Sequence, residues 1–400
     1  MKNEIPLGER PTSSRHPKGF VPFALGFRPF FTFAGLAGVG MMIIWIISYS
    51  IAKPPSLHFT PIDWHSHEML FGYSMAVVAG FLLTAVVNWT GIKTPVGRPL
   101  ALLTLVWLAG RLLPFVPSLP VWLVSLVDWL FIPALIMALA PPLVRGENRI
   151  NRIFLPLLGA MALANLLFHL QVLGVAHTGA EGIALMLNLI LLLLIFVSGR
   201  VLPFFIEKAV KGATPRFSKR REQTIYALLM LWILAELLLP GHAVSSLLAL
   251  GIALTQAWRI LDWHHPAIWR LPMLWVLYSG LIWLSIGFTV KALALLGLYP
   301  DNLATHALTV GAIGLFTLGM MARVALGHTG REMQPGRAVV TAFILINVAV
   351  VIRAVMPVTG VIGYELSIAL SGALWTLGFL LFLITYLPIL LLPRIDGRPG

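Results

Sequence analysis

The feature that most constrains this chain is its alternation of long apolar runs with short basic breaks. A membrane-crossing helix needs about 20 apolar residues, since the hydrocarbon core is about 30 Å thick and an α-helix rises about 1.5 Å per residue. Twelve runs approach or exceed that length: 28–50, 67–89, 98–114, 119–143, 152–174, 180–206, 222–239, 242–262, 271–296, 302–327, 337–357 and 363–391. Of the 400 residues, 58% are hydrophobic and only 11% charged, against roughly 25% charged in a soluble domain. Such a chain lacks the polar surface to cover a soluble globule. The expected fold is an all-α integral membrane protein of about twelve transmembrane helices, and its first partner is the lipid bilayer.

The net charge of +13 would suggest nucleic acid on a soluble domain, but the location of the charges argues otherwise. With the N-terminus taken as inside, 22 of the 28 Lys and Arg fall in inside segments, and the outside loops hold only Lys53. The other five, Arg111, Arg200, Lys291, Arg323 and Arg353, lie within the spans. A split of 22 to 1 follows the positive-inside rule for an even number of helices. The expectation is a cytoplasmic tail over 1–27, one transmembrane domain over 28–391 and a cytoplasmic tail over 392–400, in a bacterial inner membrane. The first 27 residues, with Lys2, Arg10, Arg15 and Lys18, lack the apolar run of a signal peptide.

The chain has no Cys, which excludes disulfides, thiolate metal sites and covalent haem. Any metal must be held by His, carboxylate or Met. The topology gives each His a depth: His65, His67, His169, His177, His242 and His306 fall towards the outer face, and His264, His265 and His328 towards the inner one. Ionisable groups at membrane depth are costly and face the bundle interior, so this cluster is the main chemical signal. The bland alternative is helix capping and hydrogen bonding to carbonyls.

His65 and His67, in Trp64-His-Ser-His-Glu68, are two residues apart, about 200° around a helix, so at most one can face a given cofactor within helix 2. His67, the deeper, is the choice for a haem ligand opposite His306; His65 is left to a second metal or to anchoring the interface. Glu68 suits a first helical turn by the helix dipole and could also orient a His ligand. Helices 2, 6 and 10 share a direction; His67 and His306 each begin His-x4-Gly-x7-Gly, which hints at three pseudo-repeated four-helix units. Gly72, Ala76 and Gly80 could admit a macrocycle or simply pack a neighbouring helix. Arg111, Lys291 and Arg353 lie at the depth of the outer His cluster and are candidates for haem propionates, with salt bridges or snorkelling as the alternative. His328 lies about 33 Å along helix 10 from His306, so those two cannot share an ion; a separate inner site with Arg323 is the expectation, and a helix cap the alternative.

The residues just used also carry a family resemblance. Gly26-Phe-Arg-Pro-Phe-Phe31, Trp64-His-Ser-His-Glu-Met-Leu-Phe-Gly72, Gly80-Phe-Leu-Leu-Thr-Ala85, Asn88-Trp-Thr-Gly91 and Leu108-Ala-Gly-Arg111 resemble the NnrS family. So do Gly199-Arg-Val-Leu-Pro203, His306-Ala-Leu-Thr-Val-Gly-Ala-Ile-Gly314, Arg323-Val-Ala-Leu-Gly-His-Thr-Gly-Arg331, Tyr386-Leu-Pro388 and Asp396-Gly-Arg398. The resemblance implies a polytopic inner-membrane protein containing haem b, held non-covalently, and copper, associated with the response to nitric oxide and nitrosative stress. The matching histidines are His65, His67, His306, His328 and His169, in Asn165-Leu-Leu-Phe-His169. One departure is Leu277-Tyr278, where the family pattern suggests Leu-His; Tyr278 is a poor substitute for imidazole on copper.

Three functions stay open on the sequence. The first is a haem protein that binds or turns over nitric oxide, an oxidoreductase if supplied by a respiratory electron donor. The second is a secondary transporter without haem, with Asp128 and Glu236 as proton sites; Gly-Arg-x-Leu-Pro-Phe at 110–115 and again at 199–204 hints at the inverted repeats of carriers. The third is an accessory factor for a respiratory reductase.

Overall fold

The computed structural model describes residues 19–51, 53 and 58–398; of the expected N-terminal tail, Lys2, Arg10, Arg15, His16 and Lys18 lie outside them. Twelve long helices follow one another: α1 (Phe27–Ser50), α2 (Pro61–Thr90), α3 (Arg98–Phe115), α4 (Val121–Arg145), α5 (Arg149–Val172), α6 (Gly179–Ala209), α7 (Lys219–Leu238), α8 (Ala243–Trp263), α9 (Pro272–Leu295), α10 (Asp301–His328), α11 (Arg337–Thr359) and α12 (Tyr364–Leu391). Eleven are long and apolar enough to cross a membrane. The exception, α7, opens with Lys219, Arg220, Arg221 and Glu222, which lower its hydropathy. The chain is a multi-pass, all-helical membrane protein, as its hydropathy pattern predicts.

Local chemistry sets the helix ends. Thr60 caps α2 by accepting from the Asp63 N–H at 3.2 Å, and Pro61 supplies a preset φ at the first position. Gly91, at φ +70°, ends that helix in the left-handed conformation that only glycine adopts without cost. Two of the histidines are caps of this kind: His242 Nδ1 accepts from Val244 N–H, and His265 Nδ1 from Ala267 N–H, each at 3.2 Å.

Successive helices pack as neighbours, and α1 lies against α12, so the two ends of the chain meet. Inside, α2, α6 and α10 touch one another in all three pairings. The apolar stretch of α2 is 89% buried and that of α10 78%, against 39–61% in the other nine spans. These are the helices on which the sequence places His67 and His306. Their glycines serve close packing rather than one shared slot. A Cβ on Gly80 would meet Phe31 of α1 at 2.8 Å, one on Gly311 would meet Trp283 of α9 at 2.8 Å, and one on Gly319 would meet Val276 of α9 at 2.7 Å.

The backbones of α2, α10 and α11 are not uniformly α-helical. Glu68–Ser74, Ala307–Gly314 and Val351–Val355 are π-helical turns. Such turns shift the phase of the side chains that follow, and they concentrate at functional sites.

Candidate functional site

The π-turns of α2 and α10 each follow a histidine, and that of α11 contains Arg353. All three line one cavity of 140 Å³. His65 and Ser66 enter it from α2 with Met69 and Tyr73; His306 and Thr309 enter from α10, and Arg353 from α11. Trp45 of α1 and Trp375 of α12 form aromatic walls. The His65 ring stacks on Trp45 with centroids 4.3 Å apart. His306 Nδ1 lies 2.6 Å from the Asn302 carbonyl oxygen, to which it donates. That fixes the tautomer and leaves Nε2 with a free lone pair, the arrangement usual for a metal-ligating imidazole. Arg353 is buried; its Nη2 donates to the Tyr364 hydroxyl at 3.0 Å, and its Nη1 is buried with no hydrogen-bond partner. A buried guanidinium with an unused donor at the edge of a cavity can receive an anion.

His67 points elsewhere, as two residues on one helix require. It is 1% exposed and lies among Phe59, Phe71 and Phe168, whose ring centroids are 4.6–5.6 Å from its own. His67 Nε2 is 3.1 Å from Asp128 Oδ2, and His169 Nε2 is 2.7 Å from the same oxygen. Asn165 Nδ2 donates to it at 3.0 Å. The other Asp128 oxygen pairs with Arg111, which also lies 3.3 Å from Glu68 Oε2. Glu68 Oε1 is 3.1 Å from His67 Nδ1. Gly72 makes room for Arg111: a Cβ there would lie 2.7 Å from Nη1. Gly110 does the same for Asp128, 3.1 Å from its Cα.

Among the described residues, His67, Asp128 and His169 are the one trio of His, Cys, Asp or Glu side chains close enough to share an ion. Two imidazole nitrogens and a carboxylate oxygen suit a borderline divalent ion of the later first-row metals, and Glu68 supplies the outer partner that orients His67. The charges favour a cation too. Glu68 and Asp128 carry two negative charges against the single positive charge of Arg111, so with neutral imidazoles the buried cluster is one positive charge short.

The structure thus divides the expected ligand set differently from the sequence. His306 shares its cavity with His65, while His67 joins His169 across α2, α4 and α5. The reason is the phase of α2, which sequence spacing leaves undetermined. Of the three candidate propionate cations, Arg111 is tied to Asp128 and Glu68, Lys291 pairs with Asp301, and Arg353 alone lines the cavity. His177 is exposed ahead of α6. At the far end of α10, His328 packs on Phe27 with centroids 5.8 Å apart, and the Arg323 guanidinium lies 3.7 Å over the Phe205 ring. The Tyr278 hydroxyl donates to the Ile260 carbonyl at 2.7 Å.

Two participants escaped the sequence reading. Asp128 stood there only as a carrier's proton site, yet it is the acceptor at the centre of the cluster. Asn165 stood only in a motif. Their signal is depth: His67, Asp128 and His169 all lie in the outer half of helices 2, 4 and 5. The π-turns leave no sequence signature.

A family model described as NnrS protein matches residues 21–394, nearly the whole chain. No curated protein matches it.

Proposed function

The chain belongs to the NnrS family, and from that premise we propose that it is a haem-binding membrane protein of the nitric oxide response, with haem held between His65 and His306. The observation that carries this reading is the convergence of three π-turns on one cavity, bringing two imidazoles and the unpartnered Arg353 Nη1 together. The donor set fits a haem: His306 presents Nε2, His65 stands on the facing helix, Arg353 offers a cation to a propionate, and the walls are aromatic and aliphatic. At 140 Å³ the cavity is a slot, below the roughly 300–1,000 Å³ of ordinary ligand pockets. A macrocycle would need this lining to open, and Met42 and Met69 are flexible side chains within it.

Haem iron would supply one-electron chemistry, and would bind nitric oxide directly where one of the two imidazoles gives way. The protein's part is to hold and shield it. The Asn302 carbonyl keeps the His306 tautomer, Trp45 and Trp375 exclude water, and Tyr364 orients Arg353. Copper, which the resemblance brings with haem, would be held by His67, Asp128 and His169, with the imidazole–Oδ2 hydrogen bonds giving way to the ion. In this reading both termini are cytoplasmic, the His-bearing end of the bundle faces outward, and a respiratory carrier supplies electrons.

Haem and copper content on the purified protein, with reduced spectra recorded with and without nitric oxide, tests the proposal. His65→Ala and His306→Ala are expected to lose haem, and His67→Ala and His169→Ala to lose copper while keeping haem. Full haem occupancy in both His65→Ala and His306→Ala would overturn the site assignment.

A further inference from the structure

Directly along the bundle from the His65–His306 cavity lies a second, smaller one of 60 Å³. The same three central helices build it. Val77 and Val78 follow Tyr73 by one turn on α2, Ile190 follows Leu187 on α6, and Ile313 of α10 lines both spaces. Eleven of its twelve lining side chains are apolar, and all but Phe81 and Thr317 are buried.

Thr317 is the one polar group, and its single donor is spent. Its hydroxyl donates to the Ile313 carbonyl at 2.6 Å and accepts from the Tyr73 hydroxyl at 2.7 Å. A buried water needs two to four polar partners, and an apolar cavity of this kind stays dry while accepting an uncharged guest such as xenon. The space is partly open, and its lining offers water, ions and nitrogen oxyanions little to bind, while it has room for a small apolar gas. Such a gas also dissolves in the surrounding lipid, so it can reach the core of the bundle without crossing a polar layer.

We propose that this chamber is a binding site for a small uncharged gas molecule, from which the gas passes beside Ile313 into the His65–His306 cavity. The gas is nitric oxide if the preceding functional reading holds; occupancy of the chamber itself does not depend on haem. The Tyr73–Thr317 hydrogen bond marks the boundary between the two spaces. It holds the Tyr73 hydroxyl towards α10, so that no free donor faces the apolar side.

Xenon is the probe, applied under pressure to crystals of the full-length protein and located by anomalous scattering. The expected result is a xenon peak among Val78, Leu194 and Phe316, which disappears in Val78→Phe. Leu194→Phe fills the chamber from α6 and serves if the first variant does not fold. No xenon in the wild-type chamber overturns the site. The passage is read separately, by flash photolysis of nitric oxide from the haem-loaded protein. Either filled variant should rebind from solution several-fold more slowly with its haem content unchanged. An unchanged rate in a variant shown to exclude xenon overturns the passage. Absence of haem from every preparation removes the functional reading and leaves the xenon result standing.

Discussion

Two buried charge networks fasten opposite ends of the bundle, and they differ by one charge. In the network of α7 and α8, Arg259 donates to Glu222 at 2.8 Å and Arg221 pairs with both Asp262 and Glu222; each arginine side chain is fully buried. Two guanidiniums meet two carboxylates. In the network of α2 to α5, Arg111 is the one permanently charged partner of Glu68 and Asp128, and the imidazoles of His67 and His169 supply the rest of their contacts. An uncompensated buried charge costs several kcal/mol. The first network is complete with what the chain supplies. The second closes only when an imidazole takes a proton or a cation joins it, which separates a fastening from a site. Both copies of Gly-Arg-x-Leu-Pro-Phe abut these networks: a Cβ on Gly110 would crowd Asp128, and one on Gly199 would lie 3.0 Å from Glu222 Oε2. The repeat that hinted at carrier symmetry is, at both places, a glycine that lets a helix lie against buried ions.

The largest expected effect tests that distinction. Glu222→Ala strands the buried Arg259 and should lower stability by about 3–5 kcal/mol, whereas Asp128→Ala leaves Arg111 its Glu68 partner and should cost less, both read by thermal unfolding of the detergent-solubilised protein. On the proposed metal site their copper uptake should part: Asp128→Ala takes up none and Glu222→Ala binds it like the wild type. Equal loss from both would erase the difference between the networks. Next in size is Gly72→Ala, whose Cβ would press on Arg111 Nη1 at 2.7 Å. Overpacking of this kind costs about 1–3 kcal/mol, and the displaced Arg111 should disturb metal uptake as well. Gly319→Ala, pressing on Val276 and Leu277, should match it in stability and leave the metal alone.

Glu68→Gln is subtler. It removes the orienting carboxylate from His67 and with it the excess negative charge, so Asp128 and Arg111 then balance. Metal affinity should fall about 10–100-fold, measured by competition with a chelator, while the melting temperature of the metal-free protein holds or rises. A drop in that temperature would mean that Glu68 serves as a structural partner of Arg111 and no charge is in excess.

How much of this was legible in the sequence depends on what carried the signal. The helix count was, because solvation by lipid demands long apolar runs, and the basic breaks separate them. The divergence of His65 and His67 was too, since it follows from helical pitch alone. Their partners were not. Which one meets His306 depends on the rotation of α2 about its axis and on the π-turn over Glu68–Ser74, both set by packing among α1, α6 and α10. Asp128 illustrates the same limit: its chemistry is plain from its identity, but its partners come from α2, α3 and α5, and only the assembled bundle joins them.

The smallest effect supplies the reference for what an ion pair is worth in water. Beyond α12, Arg394 grips Asp396 through Nε at 2.8 Å and Nη2 at 2.6 Å, and its Nη1 donates to the His328 carbonyl at 2.8 Å. Ile395 N–H also donates to the Thr329 carbonyl at 3.1 Å, so the C-terminal turn docks on the end of α10. The Arg394 hydrogen bonds hold the Asp396 carboxyl well below the usual carboxylate range. The sign follows from linkage: a carboxyl depressed in the folded state contributes its stabilisation above its unfolded pKa, near 4, and loses it as pH falls towards the lower folded value. Docking of the turn should therefore hold from neutral pH to about pH 4 and loosen below it, read as hydrogen exchange at Ile395. Asp396→Asn should abolish that acid dependence with little change in overall stability, because exposed pairs are weak. If it instead destabilised the protein as much as Glu222→Ala, burial would not be what gives the two internal networks their weight.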